Sequence, residues 1–223
     1  MEIKLTNKLS KDAALVFVLN ERKEIRKHGF FKFLNKEDRN YLSALEKKSA
    51  VKAGESRLIF VPSRQRALLI GIPEKSKFNH RKALLAARRV VSSARIERLA
   101  HIVVYPDDFL AQDSPGGEAL AEVLATQFEI ANFEFVKYKT QQPDGWFFVK
   151  KISVFSARPT LKLTQGITAG KIIGEEINEA RVLSNTPGGD MTPDKLAKAA
   201  VNAGKRYKFK VKILGEKEIK KLR

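Results

Sequence analysis

The feature that most constrains the fold is an alternation of short apolar runs with longer amphipathic stretches. Ala13–Leu19 is a continuous apolar run, typical of a strand buried on both faces of a sheet. Met1–Asn7 alternates apolar and polar residues, which predicts an edge strand. The apolar segments Arg57–Val61 and Arg66–Gly71 flank a Pro-Ser turn and predict a hairpin. Lys36–Lys48 has its apolar residues at helical spacing, which predicts a helix. Together, these strands and this helix predict an α/β protein with a mixed sheet flanked by helices.

The middle of the chain continues this alternation. The predicted elements are a helix over Asn79–Leu99, a strand over Ala100–Tyr105, a helix over Gly117–Ile130, and strands over Asn132–Lys139 and Trp146–Phe155. Ser114 precedes Pro115 and is predicted to cap the second of these helices. The strands add to the same sheet, and the helices cover it.

The last third of the chain predicts one long helix and the opening of a second domain. The long helix begins near Thr164, with an apolar stripe made of Ala169, Ile172, Ile173, Ile177, Ala180 and Leu183. After the breaker cluster at Asn185–Gly189, Thr192 and Pro193 predict the start of another helix. A strand over Tyr207–Ile213 and a short helix follow it. We therefore expect a first domain over residues 1–158, a linking helix and loop over 159–190, and the first αβα elements of an incomplete second α/β domain over 191–223.

Composition excludes several classes of function. The absence of cysteine excludes disulfides, thiol nucleophiles and thiolate metal sites. No apolar run is long enough to span a membrane, and the first residues lack the apolar segment of a secretory signal, so we expect a soluble, cytoplasmic protein. The 43 Lys and Arg against 25 Asp and Glu give a net charge of +18. This positive charge is either spread over the surface without a specific role, or it serves to attract nucleic acid.

Four segments in the second half carry a family resemblance: Asn132–Thr140, Glu179–Pro187, Met191–Ala197 and Val211–Glu216. In order and spacing they resemble the leucyl aminopeptidase (cytosol aminopeptidase) family. The resemblance implies a macro-domain-like first domain, a linking helix and a catalytic carboxyl-terminal domain that binds two divalent metals, Mn or Zn. It further implies peptide substrates that lose their amino-terminal residue, and a homo-hexamer in the cytoplasm.

The metal-binding residues of that family lie in motifs that this sequence does not contain. The run Asn-Thr-Asp-Ala-Glu-Gly-Arg is absent, and Pro187 follows Asn185-Thr186 where the run requires aspartate. The run Gly-Lys-Gly followed by Asp-Thr-Gly-Gly is also absent. A separate departure from the family pattern is Gly189, at a position where many members carry asparagine. We therefore assign no catalytic or metal-binding residue and expect the chain to be inactive alone, as the amino-terminal part of a metal-dependent aminopeptidase.

The other residues that could indicate a catalytic site give only weak signals. His28, His80 and His101 are isolated in sequence, so each is interpreted as structural. Asp107-Asp108 follows a predicted strand and is either a paired-carboxylate site or a solvated turn.

Two binding sites remain as candidates. Ser114, Gly116 and Gly117 stand at a predicted helix start, where backbone N–H groups bind anions. The helix over Asn79–Leu99 carries a basic face made of Arg81, Lys82, Arg88, Arg89, Arg95 and Arg98. This face is either solvated or a phosphate-binding surface, and the second reading gives the alternative function, a non-catalytic basic nucleic-acid-binding module. No aromatic residue is interleaved along the helix, so base stacking is not predicted.

Overall fold

A computed structural model describes residues 1–20, 25–46, 51–63 and 65–222, without the side chain of residue 46. The strands are β1 (Glu2–Thr6), β2 (Ala14–Asn20), β3 (Ser56–Phe60), β4 (Arg66–Ile72), β5 (His101–Val104) and β6 (Lys151–Phe155). The helices are α1 (Lys36–Glu46), α2 (His80–Ile96), α3 (Gly117–Ala131), α4 (Leu161–Asn185), α5 (Pro193–Tyr207) and α6 (Glu216–Lys220). Lys47 and Lys48 of the first predicted helix lie outside the described residues. Within those residues, no helix combines the length and apolarity needed to cross a membrane.

The six strands form one mixed sheet in the order β1-β6-β5-β2-β4-β3. Only the β3–β4 hairpin is antiparallel among these pairs, and the remaining neighbours are parallel. The continuous apolar run of β2 lies at the centre because a parallel strand is covered on both faces. β1, whose alternating pattern predicts an edge strand, lies at one edge of the sheet, and β3 of the predicted hairpin lies at the other. The predicted mixed sheet flanked by helices is therefore confirmed.

The two faces of the sheet are buried in separate cores, which makes three layers. Val16 and Val18 of β2 point into the core that α2 and α3 cover. Leu15 and Phe17 point to the opposite face, where α1 and the segment around Phe30 pack. The period of two along β2 thus supplies alternate residues to both cores.

The buried face of α4 differs from the predicted one. The residues of α4 that are buried are Gly166, Ile167, Gly170 and Gly174. An added Cβ at Gly170 would lie 2.0 Å from the Glu122 carbonyl oxygen of α3, so the two backbones approach too closely for a larger residue. The predicted isoleucine stripe remains exposed in this chain, with Ile172 at 52% and Ile173 at 41%. We call the three buried glycines of α4 the glycine seam.

Two predicted strands in the first domain do not form as predicted. Asn132–Lys139 has no strand pairing, and the strand predicted over Trp146–Phe155 begins only at Lys151. Asn132 instead holds the second segment by its side chain, which donates to the Val149 carbonyl at 2.9 Å and accepts from the Val149 N–H at 3.0 Å. The side chain of Asn132 thus makes the backbone contacts that strand pairing would otherwise make. Phe133, Phe135 and the aromatic residues 146–148 are half-buried and do not alternate between buried and exposed.

The chain divides into two compact units, Met1–Asn178 and Glu179–Arg223. In the second unit, Thr192 caps α5 as predicted, with its side chain accepting from the Lys195 N–H at 3.4 Å. α5 ends at Tyr207, because the next residue, Lys208, takes the left-handed conformation that ends a helix. The segment predicted as a strand over Tyr207–Ile213 pairs with no strand in the described part of the chain. The three-part division at residues 158 and 190 stays a prediction.

Candidate functional site

The six predicted basic residues lie on and just beyond α2. Asn79 caps this helix by accepting from the Lys82 N–H at 3.0 Å, and this cap places Arg81 and Lys82 in the first turn. Arg98 lies beyond the last turn, with a φ of 50°. Five of the six are exposed, and Arg95 is half-buried. A surface with these cations is present, and its function stays a prediction.

Two of the arginines that repeat every seven residues are held by protein groups. Arg88 Nε donates to the Gln127 side-chain oxygen of α3 at 2.6 Å. Arg95 Nε donates to the Phe147 carbonyl at 3.1 Å, and its guanidinium contacts the Glu134 carboxylate at 3.2 Å. Hydrogen bonds from Lys139 and then from Arg95 hold the pKa of Glu134 below its usual value. Arg95 therefore fastens the loop after α3 to α2.

Aromatic residues that sequence reasoning missed lie beside the end of α2. The Arg95 guanidinium lies 5.1 Å from the Phe148 ring centroid, and that of Arg98 lies 5.5 Å from the Phe147 ring centroid. Lys139 Nζ lies 5.3 Å from the ring of Trp146. These rings come from a loop about fifty residues downstream, so no pattern local to the helix shows them. The only sequence signal was the aromatic cluster at residues 146–148.

At the candidate anion site, the observed start of α3 differs from the predicted one. Gly116, not Ser114, is the N-cap of α3, and no side chain caps the helix there. Ser114 Oγ lies 3.3 Å from His80 Nδ1 instead. Gly117 has a φ of 57°, and a Cβ there would meet no atom within 4 Å, so the helix start is open. The carboxylates of Asp113 and Glu118 adjoin it, which disfavours an anion.

Among the residues that the structure describes, the histidines and carboxylates form no group of three or more that could hold a metal ion, but two of them form a buried pair. His28 and Asp108 are buried and joined by a 2.6 Å contact between Nε2 and Oδ2. The Phe30 N–H donates to His28 Nδ1 at 3.1 Å, so the proton on the ring is at Nε2 and points to Asp108. Asp107 is exposed, and the adjacent pair is therefore neither a shared carboxylate site nor wholly a solvated turn.

Three further titratable groups, His101, Tyr105 and Glu129, have pKa values that are shifted mainly by burial. His101 contacts Ser153 Oγ at 2.9 Å, and burial together with Lys151 lowers its pKa. Burial raises the pKa of the Tyr105 hydroxyl to about 12, with the nearby Asp107 and Asp108 carboxylates adding to the effect. Burial also raises the pKa of Glu129, although the α-amino group of Met1 lies 3.5 Å away. None of these groups faces another in a way that supports acid–base catalysis.

The described residues do not fit the two-metal centre that the resemblance implies. A two-metal hydrolase needs several carboxylate or imidazole ligands within reach of two ions about 3.5–4 Å apart. Across the described ranges, no three His, Asp or Glu side chains are close enough to hold a metal ion. We therefore derive no metal-dependent step from this chain.

Comparisons with known proteins identify the family. The model of the cytosol aminopeptidase family N-terminal domain matches residues 15–142. The probable cytosol aminopeptidase of Bacillus subtilis is 26% identical over 189 residues, which cover 82% of this chain and 37% of the relative. The corresponding protein of Sulfurihydrogenibium sp. is 22% identical over 231 aligned residues, covering 100% of this chain and 45% of the relative.

A solved structure gives the same result for the fold. A variant of tomato leucine aminopeptidase superposes with a TM-score of 0.78 at 18% sequence identity, covering 100% of this chain and 46% of that chain. This chain thus spans less than half the length of the relatives that it matches. The resemblance found in the sequence is confirmed: the chain belongs to the cytosol aminopeptidase family, through that family's N-terminal domain.

Proposed function

We propose that this chain is the amino-terminal part of a metal-dependent leucyl aminopeptidase that removes amino-terminal residues from peptides. The observation that carries the proposal is the family match over residues 15–142, in a chain that spans 37% and 45% of two relatives named as cytosol aminopeptidases. The metal ligands and catalytic groups then belong to the part of the relatives that this chain does not match. The two divalent ions, Mn or Zn, are bound there.

Under this proposal the first domain serves assembly and access rather than chemistry. Its interior is filled by two apolar cores, and its buried His28–Asp108 pair is enclosed rather than open to a substrate. A domain of this kind holds a catalytic partner in place and restricts which peptides reach it. We extend the proposal to a homo-hexamer, and to the cytoplasm in keeping with the name cytosol aminopeptidase that the relatives carry.

The test is an activity assay of the purified chain with Mn²⁺ or Zn²⁺ and a leucine amide substrate. We expect no turnover above a preparation from cells that lack the expression plasmid. A full-length cytosol aminopeptidase under the same conditions is the positive control. Metal-dependent turnover that follows the chain through two unrelated purification steps would contradict the proposal.

A second experiment addresses the parent protein. The intact mass of the protein in its source cells, together with the transcript read past codon 223, shows whether the frame continues into the lysine, aspartate and glutamate motifs of the family. Continuation supports the peptidase, and light scattering of that product then tests the hexamer. A stop at Arg223 would refute the peptidase proposal for this molecule.

A further inference from the structure

A groove beside the end of α2 has the composition of a ligand site. It lies between the last turns of α2 and the loop that follows residue 141, and it has a volume of about 340 Å³. We call it the arginine–tryptophan groove; its lining residues are Ser92, Arg95, Ile96, Arg98, Gln142, Gly145, Trp146 and Phe147. A groove of this size accommodates one small planar ligand group at a time.

The walls of the groove combine apolar surface with positive charge. Ile96 is 79% exposed, which is unusual for a large apolar side chain at the end of a well-packed helix. Trp146 and Phe147 are half-buried, and a cationic group lies over each ring, Lys139 Nζ at 5.3 Å from the first centroid and the Arg98 guanidinium at 5.5 Å from the second. Stacked arginine and aromatic side chains form flat surfaces on which nucleic-acid bases stack.

The charge of the groove is available to a ligand at Arg98. Arg95 is held by the Phe147 carbonyl and by Glu134, so it supports the wall rather than the ligand. Arg98 donates to the Asp144 carbonyl at 3.3 Å, and its ion pair with that residue's carboxylate is long, at 4.0 Å. The side chains of this pair are 56% and 85% exposed, and such exposed pairs contribute little free energy. A phosphate therefore competes for Arg98 at small cost.

Further cations extend the groove along the helix. Arg88 and Arg89 are exposed and lie seven residues before Arg95 and Ile96, which is about 10 Å along an α-helix. Within α2 and up to Arg98, Glu97 is the one acidic residue among six basic ones. A chain of phosphates that leaves the groove along α2 thus meets further positive charge.

We propose that the arginine–tryptophan groove binds single-stranded nucleic acid, with a base stacked against its aromatic and guanidinium wall and the backbone along the basic face of α2. Unpaired bases are required because in a duplex the bases stack on one another and are not free to enter the groove. A chain of acidic residues alone, such as poly-glutamate, matches the charge but has no planar rings to stack on this wall. The proposal is independent of the peptidase function.

The chain supplies its own probe, because Trp146 is its single tryptophan. The experiment titrates an oligo(dT) of about twelve nucleotides and follows both tryptophan fluorescence and the anisotropy of a labelled copy. We expect quenching of Trp146 and about tenfold tighter binding than to the matching dT·dA duplex at the same salt concentration. Equal or tighter duplex binding, or oligo(dT) binding without a fluorescence change, would overturn the proposal.

Matched variants separate the groove from general charge. Arg98→Glu and Arg81→Glu make the same charge change at opposite ends of α2. We expect Arg98→Glu to weaken oligo(dT) binding about tenfold and Arg81→Glu to weaken it only about two- to threefold, as the loss of one distant cation does. Equal losses, or equal affinity for poly-glutamate, would show non-specific charge attraction and refute the site. If Arg98→Glu does not fold by circular dichroism, Ser92→Glu, which places a carboxylate in the groove from an exposed helix position, replaces it with the same expected loss.

Discussion

At the level of single residues, the buried His28–Asp108 pair links the chain after β2 to the end of β5. Asp108 accepts from His28 and, at 3.3 Å, from the Val18 N–H. Both donors use the same oxygen, Oδ2, and Asp108→Asn turns this charged acceptor into a neutral amide oxygen that accepts more weakly, so we expect the free energy of unfolding to fall by about 1–2 kcal/mol. Asp107→Asn is the control, because Asp107 is exposed and its replacement changes stability by less than about 0.5 kcal/mol. Urea denaturation measures both, and equal effects of the two variants would contradict the assigned role of the pair.

Two glutamates should give opposite pH dependences. The pKa of Glu129 is raised by burial, so the folded state binds more protons, and stability is lost as pH rises from about 4.3 through the folded pKa. The pKa of Glu134 is lowered by Lys139 and Arg95, so its contribution is present above about pH 4.3 and is lost as pH falls through the folded pKa.

The matched variants Glu129→Gln and Glu134→Gln test this contrast. Relative to the parent, Glu129→Gln should gain stability as pH rises from about 4 to 7. Glu134→Gln should lose stability at neutral pH and approach the parent as pH falls below the lowered pKa of Glu134. The measurement is the unfolding free energy as a function of pH for the parent and both variants. Profiles of the two variants that run parallel to that of the parent would contradict the two assigned pKa shifts.

At the level of secondary-structure elements, the glycine seam fixes how α4 packs on α3. Alanine ordinarily stabilises a helix by about 1 kcal/mol relative to glycine. At Gly170 the added Cβ would lie 2.0 Å from the Glu122 carbonyl oxygen and 2.9 Å from Ala125 Cβ. We expect Gly170→Ala to lower the unfolding free energy by about 1–3 kcal/mol, because the helices must separate. Gly188→Ala, which meets no atom within 4 Å, is the control, and a stabilised Gly170→Ala would refute the seam.

The same helix shows where sequence patterns are sufficient and where they fail. Its existence and its end at Asn185 follow from the apolar spacing and the breaker cluster. Its buried face does not, because hydrophobic periodicity identifies Ile172, Ile173 and Ile177 and gives no weight to glycine. Close backbone packing depends on the spacing of the glycines and on the partner helix together, and the apolar periodicity of α4 shows neither.

The strand predictions differ for a similar reason. β2 and β5 are confirmed because a buried parallel strand needs only an apolar run. Asn132–Lys139 has the alternation of a strand but lies where one side chain, Asn132, already pairs the neighbouring backbone. Strand formation depends on a free partner edge, which the sequence does not display.

At the level of the whole molecule, the basic helix was predicted and the groove beside it was not. The position of α2 and the exposure of Arg81 and Arg98 follow from local periodicity. The contacts of Arg95 and Arg98 with Phe148 and Phe147 join segments about fifty residues apart, so only the fold brings them together. The +18 charge indicates attraction for polyanions, and the aromatic residues add the capacity for stacking.

The two units differ in burial, and this predicts a difference in stability. Of the described residues after Asn178, only Gly204 is buried, whereas α2 alone buries seven residues. Local opening costs little free energy where few apolar contacts are lost. In hydrogen exchange of the intact chain, we expect the amides of α5 to exchange at least about a hundredfold faster than those of α2, a helix of similar length.

Equal protection of the two helices would mean that contacts outside the described packing stabilise α5, for example by association of chains through the exposed side chains of Leu196, Ile213 and Ile219. Repeating the exchange at a tenth of the protein concentration, an approximate dilution chosen to dissociate weak complexes, distinguishes that case because protection from association falls on dilution.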